Sequence, residues 1–224
     1  MGFISKLVPV FVFGSLFNII ASSDFSSLAA GGKFFAGTLA GCILLILFHT
    51  VLTCAKMRIT PLDLWKRTFS TFIIAVSTAS SSAAFAENKK TCTEKLGISH
   101  RLAYFGVPFG QLLYPPGASV LFWFAAVSVA ERSGTEVSAV WIVMAVAVSI
   151  ILSVASPPVP GGMTASFTIL FAQLGLPASD LAVILSLTSI LDFAITATDV
   201  FTQQCVLAIT ARSIEKTQAA EERT

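Results

Sequence analysis

Four polar residues recur at helical spacing near the C-terminus, inside an otherwise apolar stretch. They are Asp192, Thr196, Asp199 and Gln203, which follow one another by four, three and four positions. That spacing places the four side chains on one face of a helix. An aspartate at the bilayer centre costs about 2.5–3.5 kcal/mol on insertion scales, so two on one face predict a polar cavity, a bound cation or proton, or a partner donor. A polar seam between two helices is the alternative.

The chain that must position this face is strongly apolar. Of its 224 residues, 55% are hydrophobic and 12% are charged, whereas a soluble domain carries about 25% charged residues. We therefore predict an all-α integral membrane protein in contact with lipid. The four cysteines lack CxxC or metal-ligand spacing, and the sequence contains no glycine-rich phosphate loop or HExxH motif. These observations predict neither an enzyme nor a cofactor, and no nucleic-acid partner.

Charged residues divide the sequence into apolar windows, and a spanning helix needs about 20 residues. The windows are residues 7–23, 34–55, 68–86, 102–130, 137–179 and 181–211, the last of which contains two aspartates. The third window ends in a basic stretch, ENKKTCTEKLGISHR, and the fifth is long enough for two helices. We predict four spanning helices plus two re-entrant helical hairpins.

The basic residues support this topology with both termini in the cytoplasm. Lys33 and Arg132 then lie outside, which leaves 12 of the 14 Lys and Arg residues inside. Cytoplasmic loops of membrane proteins carry such an excess. Plain spans throughout would place the basic stretch at 87–101 outside, or require one more span from a serine-rich window. We therefore predict a multi-pass protein of the plasma (inner) membrane.

The predicted organisation has three parts. Residues 1–62 contain two N-terminal membrane helices, and residues 212–224 form a charged cytoplasmic tail. Residues 63–211 form the core, which consists of a hairpin at 63–101, a broken helix at 102–130, a hairpin at 137–179 and a helix at 180–211.

Both predicted hairpins have irregular tips, and an interrupted or polar helix follows each of them. The first tip reads VSTASSSAAF and precedes the break in LLYPPGAS, while the second reads VASPPVPGGMTAS. Ser81 and Pro116 are 35 residues apart, as are Gly161 and Thr196. Paired interruptions of this kind form the midplane binding site of secondary transporters with inverted repeats. A simple proline kink is the alternative at LLYPPGAS.

These motifs resemble those of the dicarboxylate/amino acid:cation symporters, the glutamate-transporter family. STASSSAAF, EKLGIS, VPFG, VPGG and GLP carry the resemblance, which covers nearly the whole chain. It matches only the C-terminal half of the family's architecture, from the fifth helix to the eighth. The two N-terminal helices would then be scaffold-like and transport-domain-like, within a homotrimer if the missing half is supplied.

The resemblance implies a secondary active transporter of a small polar solute, such as an amino acid or a dicarboxylate. We expect a truncated or split family member; a non-transporting remnant or a membrane partner subunit is the alternative. The serine tip resembles an inner gate that holds a substrate carboxylate, and VPGG resembles an outer gate. The implied substrate-binding residues are Ser80, Ser81, Ser82, Val159, Pro160, Gly161, Gly162, Thr196, Asp199 and Gln203.

The sequence departs from the family at the positions that bind sodium. The seventh-helix motif is usually Asn-Met-Asp-Gly-Thr, and it aligns here with YPPGA, so only the glycine remains. Tyr114 and Pro116 replace the Asn and Asp that help to bind sodium, and Leu207 replaces a later sodium-binding aspartate. Sodium or a proton therefore remains as the possible coupling ion. The candidate coupling residues are Asp192, Asp199 and Gly117.

The last helix departs from the family in its charges. Thr196 replaces the aspartate that holds the substrate amino group, Gln203 replaces an asparagine, and Asp199 replaces the arginine that recognises an acidic side chain. Because like charges repel strongly in a poorly screened site, we predict that an acidic amino acid is a poor substrate. If Asp199 or Asp192 carries a coupling proton, a pH gradient drives transport, and Asp199→Asn abolishes it.

Overall fold

The computed structural model describes residues 25–156 and 162–221, with side chains for residues 31–156 and 163–218. All regular structure in these ranges is helical. The first predicted spanning helix, at residues 7–23, lies outside the described residues. So do Val159, Pro160 and Gly161 of the predicted outer gate.

Eight α-helices account for most of the described chain. They are α1 (Phe25–Met57), α2 (Pro61–Thr78), α3 (Ser81–Lys90), α4 (His100–Leu113), α5 (Pro116–Ser133), α6 (Ala139–Ala155), α7 (Gly162–Leu174) and α8 (Leu181–Glu221). A π-helical turn, Thr91–Lys95, follows α3, and a 3₁₀ turn, Ala178–Asp180, precedes α8.

Hydroxyl side chains fix the starts of four helices. Each accepts a hydrogen bond from a main-chain N–H in the first turn, as at Thr60, whose Oγ1 lies 3.2 Å from the Asp63 nitrogen. These bonds satisfy donors that the first turn of a helix leaves without an internal partner. The four capping residues are Thr60, Ser80, Ser99 and Ser138.

Three helical stretches are long and apolar enough to cross a membrane. They are Gly31–Met57, His100–Ser133 and Ala178–Gln218, and they coincide with the predicted segments 34–55, 102–130 and 180–211. This result supports the predicted all-α membrane fold. The fourth span and the re-entry of the hairpins into the bilayer remain predictions.

Two helical pairs form at the predicted hairpins. Helices α2 and α3 pack against each other, as do α6 and α7. Ala79, between α2 and α3, has a left-handed backbone with φ of 47° and donates its N–H to the Ala75 carbonyl. This residue ends α2 and lets the chain reverse before Ser80 starts α3.

The chain folds into two compact units, each built from separate segments. The first unit comprises residues 1–40 and 118–192, and the second comprises residues 41–117 and 193–224. Both α1 and α8 therefore contribute to both units. The domain boundaries drawn from the sequence remain a prediction.

The first unit packs aromatic rings and small residues between its helices and carries ion pairs near helix ends. The rings of Phe122 and Phe167 meet edge to face, with centroids 4.8 Å apart. The Trp141 indole N–H donates to the Leu174 carbonyl at 3.2 Å, which ties α6 to α7. A Cβ at Gly37 would overlap the Phe124 ring, so glycine permits the close packing of α1 on α5.

The second unit has a buried core beneath the first hairpin. Trp65 of α2 stacks on Phe201 of α8, with ring centroids 4.8 Å apart and planes 17° from parallel. Leu64, Ala103 and Cys205 complete this core and are fully buried. The core joins α2, α4 and the C-terminal half of α8, and residues of α4 and α8 line the candidate site together with the start of α3.

Candidate functional site

The break in LLYPPGAS separates α4 from α5. Helix α4 ends at Leu113, and α5 begins at Pro116, whose missing N–H is not needed in a first turn. Tyr114 adopts φ of −132° and ψ of 65°, outside the helical region, because a following proline disfavours helical backbone. The break therefore places the N-terminus of α5 within a stretch of membrane-spanning length.

Asp199 of α8 accepts a hydrogen bond at this helix start. The Gly117 N–H donates to the Asp199 Oδ1 at 2.6 Å. A Cβ at Gly117 would lie 2.9 Å from that oxygen and 3.1 Å from the Ile195 carbonyl oxygen, so only glycine permits the approach. A helix N-terminus carries partial positive charge and stabilises a nearby carboxylate. Asp199 therefore has a partner that a search for Lys or Arg in the sequence could not find.

A small cavity of about 60 Å³ opens beside Asp199, within the second unit. A water needs about 10–15 Å³ by this measure, so the cavity has room for about four waters. Four of the predicted site residues line it: Ser81, Thr196, Asp199 and Gln203. Five lining residues were not predicted as ligands, namely Gly110, Gln111, Tyr114, Pro115 and Val200.

The three tip serines have different surroundings. The Ser80 hydroxyl accepts the Ala83 N–H at 3.2 Å and caps α3, while Ser82 is exposed. Only Ser81 lines the cavity, and its carbonyl accepts the Gln111 side-chain amide at 2.8 Å. Of the three serines predicted to form the inner gate, Ser81 therefore lies at the cavity and Ser80 caps the helix.

Gln203 is held by a buried amide network. Its Nε2 donates to the Val107 carbonyl at 2.5 Å, and its Oε1 accepts from Asn88 at 2.9 Å. The Gln204 amide donates to the Asn88 Oδ1 at 2.9 Å. A Cβ at Gly110 would overlap the Gln203 side chain. Gln203 is only 2% exposed, so its bonds fix a wall of the cavity.

Tyr114 bonds to a histidine that the sequence reading did not include in the site. The Tyr114 hydroxyl lies 2.8 Å from the His49 Nε2, and the His49 Nδ1 lies 2.8 Å from the Leu45 carbonyl oxygen. Because a carbonyl only accepts, Nδ1 carries the proton in that bond, and Nε2 of the neutral ring accepts from Tyr114. Tyr114 thus replaces the family's asparagine with a hydroxyl bonded to His49.

The other predicted coupling positions are not among the residues that line the cavity, or they lack ligand atoms. Asp192 is half-buried, belongs to the first unit and is not among the residues lining the cavity. Leu207 is buried against Gly106, where a Cβ would overlap it. Gly162 begins α7. Within the described ranges, no three His, Cys, Asp or Glu residues are placed to hold a metal ion.

The sequence profile of the sodium:dicarboxylate symporter family matches residues 1–213. The chain belongs to this family. The match confirms the resemblance drawn from the motifs; the restriction to the C-terminal half remains a prediction. The family description names sodium as a coupling ion, and no cofactor is indicated.

Curated relatives match most of this chain. One, named an uncharacterized symporter of Haemophilus influenzae, is 28% identical over 216 residues, covering 96% of this chain and 49% of the relative. The L-cystine uptake protein TcyP of Bacillus cereus is 27% identical over 199 residues, which cover 88% of this chain and 43% of the relative. The chain thus spans about half the length of these relatives. The family and these relatives are transporters rather than enzymes, which supports an integral membrane protein.

Proposed function

We propose that this chain forms the substrate-binding part of a symporter for a zwitterionic amino acid such as cystine, and that it excludes glutamate and aspartate. The observation that carries the proposal is the cavity beside Asp199, where the hairpin tip meets the last helix. Family membership and the name of the Bacillus relatives support amino-acid transport.

The N-terminus of α3 is suited to a substrate carboxylate. Ser81 is the first residue of α3 and lines the cavity. Main-chain N–H groups in a first helical turn attract anions, because they lack internal partners and lie at the positive end of the helix. The carboxylate end of the amino acid would bind here.

Asp199 is suited to a substrate ammonium group. Its carboxylate borders the same cavity, and no Lys or Arg stands among the described residues that line it. Cystine has an ammonium and a carboxylate at each end, so it offers Asp199 a cation. Glutamate instead has one ammonium group and two carboxylates, so its net charge is negative, and its side-chain carboxylate and Asp199 would repel each other.

The cavity in this conformation is too small to hold an amino acid. About 60 Å³ accommodates a few waters. Binding therefore requires the tip at Ser81 to separate from Gln111, whose amide now holds it at 2.8 Å. One neutral hydrogen bond contributes about 0.5–1.5 kcal/mol, so this closure is readily reversible.

The finer architecture is part of the same proposal. We place four spans and two re-entrant hairpins in an inner membrane, with both termini in the cytoplasm, as the basic residues favour. A homotrimer, completed by the half of the family architecture that this chain does not match, is the assembly that the family resemblance implies.

A membrane partner subunit without transport is the second candidate. It is favoured by the contacts at the positions of the family's sodium ligands. The Tyr114 side chain makes a hydrogen bond to His49, and the Leu207 side chain packs on Gly106. Uptake by the complex that co-purifies with the chain from its native membrane distinguishes the candidates, since substitutions at this cavity would leave transport unchanged if the chain were only a partner subunit.

Uptake by liposomes that contain the chain together with any polypeptide that co-purifies with it tests the first candidate. We expect labelled cystine to accumulate and labelled glutamate to remain outside. Asp199→Asn is a conservative variant because its side-chain carbonyl can still accept the Gly117 N–H, and it should lower cystine uptake at least tenfold through loss of charge. Glutamate uptake comparable to cystine uptake would refute the proposal.

A further inference from the structure

The buried His49–Tyr114 pair has no part in the substrate recognition proposed above. His49 is 4% exposed and lies within α1, on a stretch of membrane-spanning length. Ionisable residues at membrane depth are costly and often belong to proton pathways. An imidazole changes charge between about pH 5 and 8, the range of a physiological proton gradient.

We propose that His49 is the proton-binding site of this transporter and that Tyr114 conducts the proton between His49 and the cavity. This inference rests on the proposed symport and identifies the residue that carries the coupling proton. The geometry supports it on both sides of the tyrosine. The hydroxyl is bonded to the imidazole at 2.8 Å, and Tyr114 lines the cavity that contains Asp199.

The transfer conserves protons and charge. A hydronium ion in the cavity gives one proton to the Tyr114 oxygen and becomes water, while the hydroxyl proton already there moves to the His49 Nε2. The products are a neutral phenol and an imidazolium with one positive charge. The Nδ1–H bond to the Leu45 carbonyl is present before and after the transfer, so the ring keeps its orientation.

Protonation also changes what Tyr114 presents to the cavity. In the neutral pair its hydroxyl donates to Nε2, whereas an imidazolium donates from both nitrogens. The Tyr114 oxygen must then accept, and its proton turns away from the ring, toward the cavity side. A proton on His49 thus adds a hydrogen-bond donor and a nearby positive charge to the cavity.

The titratable groups near the pair come from two helices. Asp199 and Cys205 lie on α8, and Cys42 and Cys54 lie on α1 itself. Among these groups Asp199 is the carboxylic acid, and the N-terminus of α5 already stabilises its charged form. A proton on His49 leaves that carboxylate charged for a substrate ammonium, whereas a proton on Asp199 would neutralise it.

Nitrogen NMR of the histidine rings tests proton binding without any transport. The chain has two histidines, so His100→Gln leaves His49 as the sole signal; His100 is exposed at the start of α4. At high pH we expect a neutral ring protonated on Nδ1, and at low pH a doubly protonated ring. Tyr114→Phe in this background should shift the midpoint. A His49 signal that is unchanged from about pH 5 to 8 overturns the inference.

Uptake driven by an inward proton gradient gives the second test. We expect the wild type and His100→Gln to accumulate cystine, while His49→Gln and Tyr114→Phe lose gradient-driven uptake but retain the wild-type melting temperature within a few degrees. If His49→Gln responds to the gradient as the wild type does, His49 is not the site, although the proposed function stands. If the wild type takes up no cystine, the proposed function fails, and the NMR titration alone decides proton binding at His49.

Discussion

The first unit and the cavity of the second unit hold their polar groups in different ways; elsewhere in the second unit Lys95 pairs with Glu87. In the first unit, charged side chains pair at helix ends, as Lys33 does with Glu131 at 2.5 Å and Arg132 with Asp180. In the second unit, the polar groups around the cavity bond largely through amides, hydroxyls and main chain, with Asp199 at one helix start.

This difference indicates a division of roles. Arg132 and Asp180 form the more buried of these two pairs. Removing one partner of a buried ion pair leaves a costly charge, so such a pair suits a fixed support. Neutral hydrogen bonds in membranes contribute about 0.6 kcal/mol on average, so single bonds can exchange during a transport cycle. We therefore expect substitutions in the first unit to affect stability most, and substitutions around the cavity to affect ligands and coupling as well.

Breaking the buried ion pair of the first unit should have the largest effect on stability. Asp180 has a side chain 6% exposed, and Arg132→Ala leaves its charge without this partner. We expect a loss of about 3–5 kcal/mol of unfolding free energy. Lys33→Ala is the matched control, since its pair has side chains 61% and 59% exposed and should contribute below about 1 kcal/mol. Equal losses of stability for Arg132→Ala and Lys33→Ala in thermal melts would contradict the distinction between the buried and the exposed pair.

Adding a methyl group beneath Gln203 should have the second-largest effect on stability. In Gly110→Ala the new Cβ would lie 2.8 Å from the Gln203 Cγ, and overpacking of this kind costs about 1–3 kcal/mol. We also expect weaker cystine binding, because Gln203 lines the cavity. Gly32→Ala is the control, since its Cβ meets nothing within 4 Å. A Gly110→Ala protein with unchanged melting and affinity would contradict the tight contact.

Removing the hydroxyl that caps α3 should have the third-largest effect on stability. Ser80→Ala deletes the acceptor for the Ala83 N–H and should cost about 1 kcal/mol. Because Ser80 does not line the cavity, cystine affinity measured by equilibrium binding should stay within about twofold of wild type. Ser138→Ala, which removes the cap of α6 in the other unit, should cost a similar amount. A selective loss of affinity in Ser80→Ala would instead make Ser80 a ligand.

The smallest effect should come from Glu87, at the far end of the first hairpin. The Ser70 hydroxyl, and then Lys95, lower the pKa of Glu87 below its usual range. Its contribution to stability is therefore present above the ordinary glutamate pKa of about 4.3 and is lost as pH falls through the lowered value. Glu87→Gln should cost less than about 1 kcal/mol at pH 7, and this cost should shrink as the pH falls below the ordinary glutamate pKa. A cost that grows on acidification would contradict this sign.

Sequence reasoning located much of the site because membrane segments follow simple rules. Steps of three and four positions predicted that Thr196, Asp199 and Gln203 share a face, and these three residues line the cavity. Prolines in LLYPPGAS predicted an interruption, and α4 ends and α5 begins there. Composition and helical periodicity act locally along the chain, so one sequence is enough to reveal them.

The missing parts of the site depend on partners distant in sequence. The sequence predicts a cavity, a cation, a proton or a partner donor at Asp199 without identifying which. Its partner is the N–H of Gly117, a group that every residue except proline has. His49 and Tyr114 are 65 positions apart, and neither spacing nor composition links them. A helix start and a buried pair become visible only once the helices are placed.

The most direct test of the account is a competition between cystine and glutamate for the purified protein. We predict that unlabelled cystine displaces bound labelled cystine from the wild type, while glutamate at a hundredfold higher concentration does not. In Asp199→Arg, which restores the charge that the family resemblance places there, the preference should move toward glutamate. Displacement of cystine by equal concentrations of glutamate in the wild type would contradict the claim that Asp199 sets the selectivity of this site.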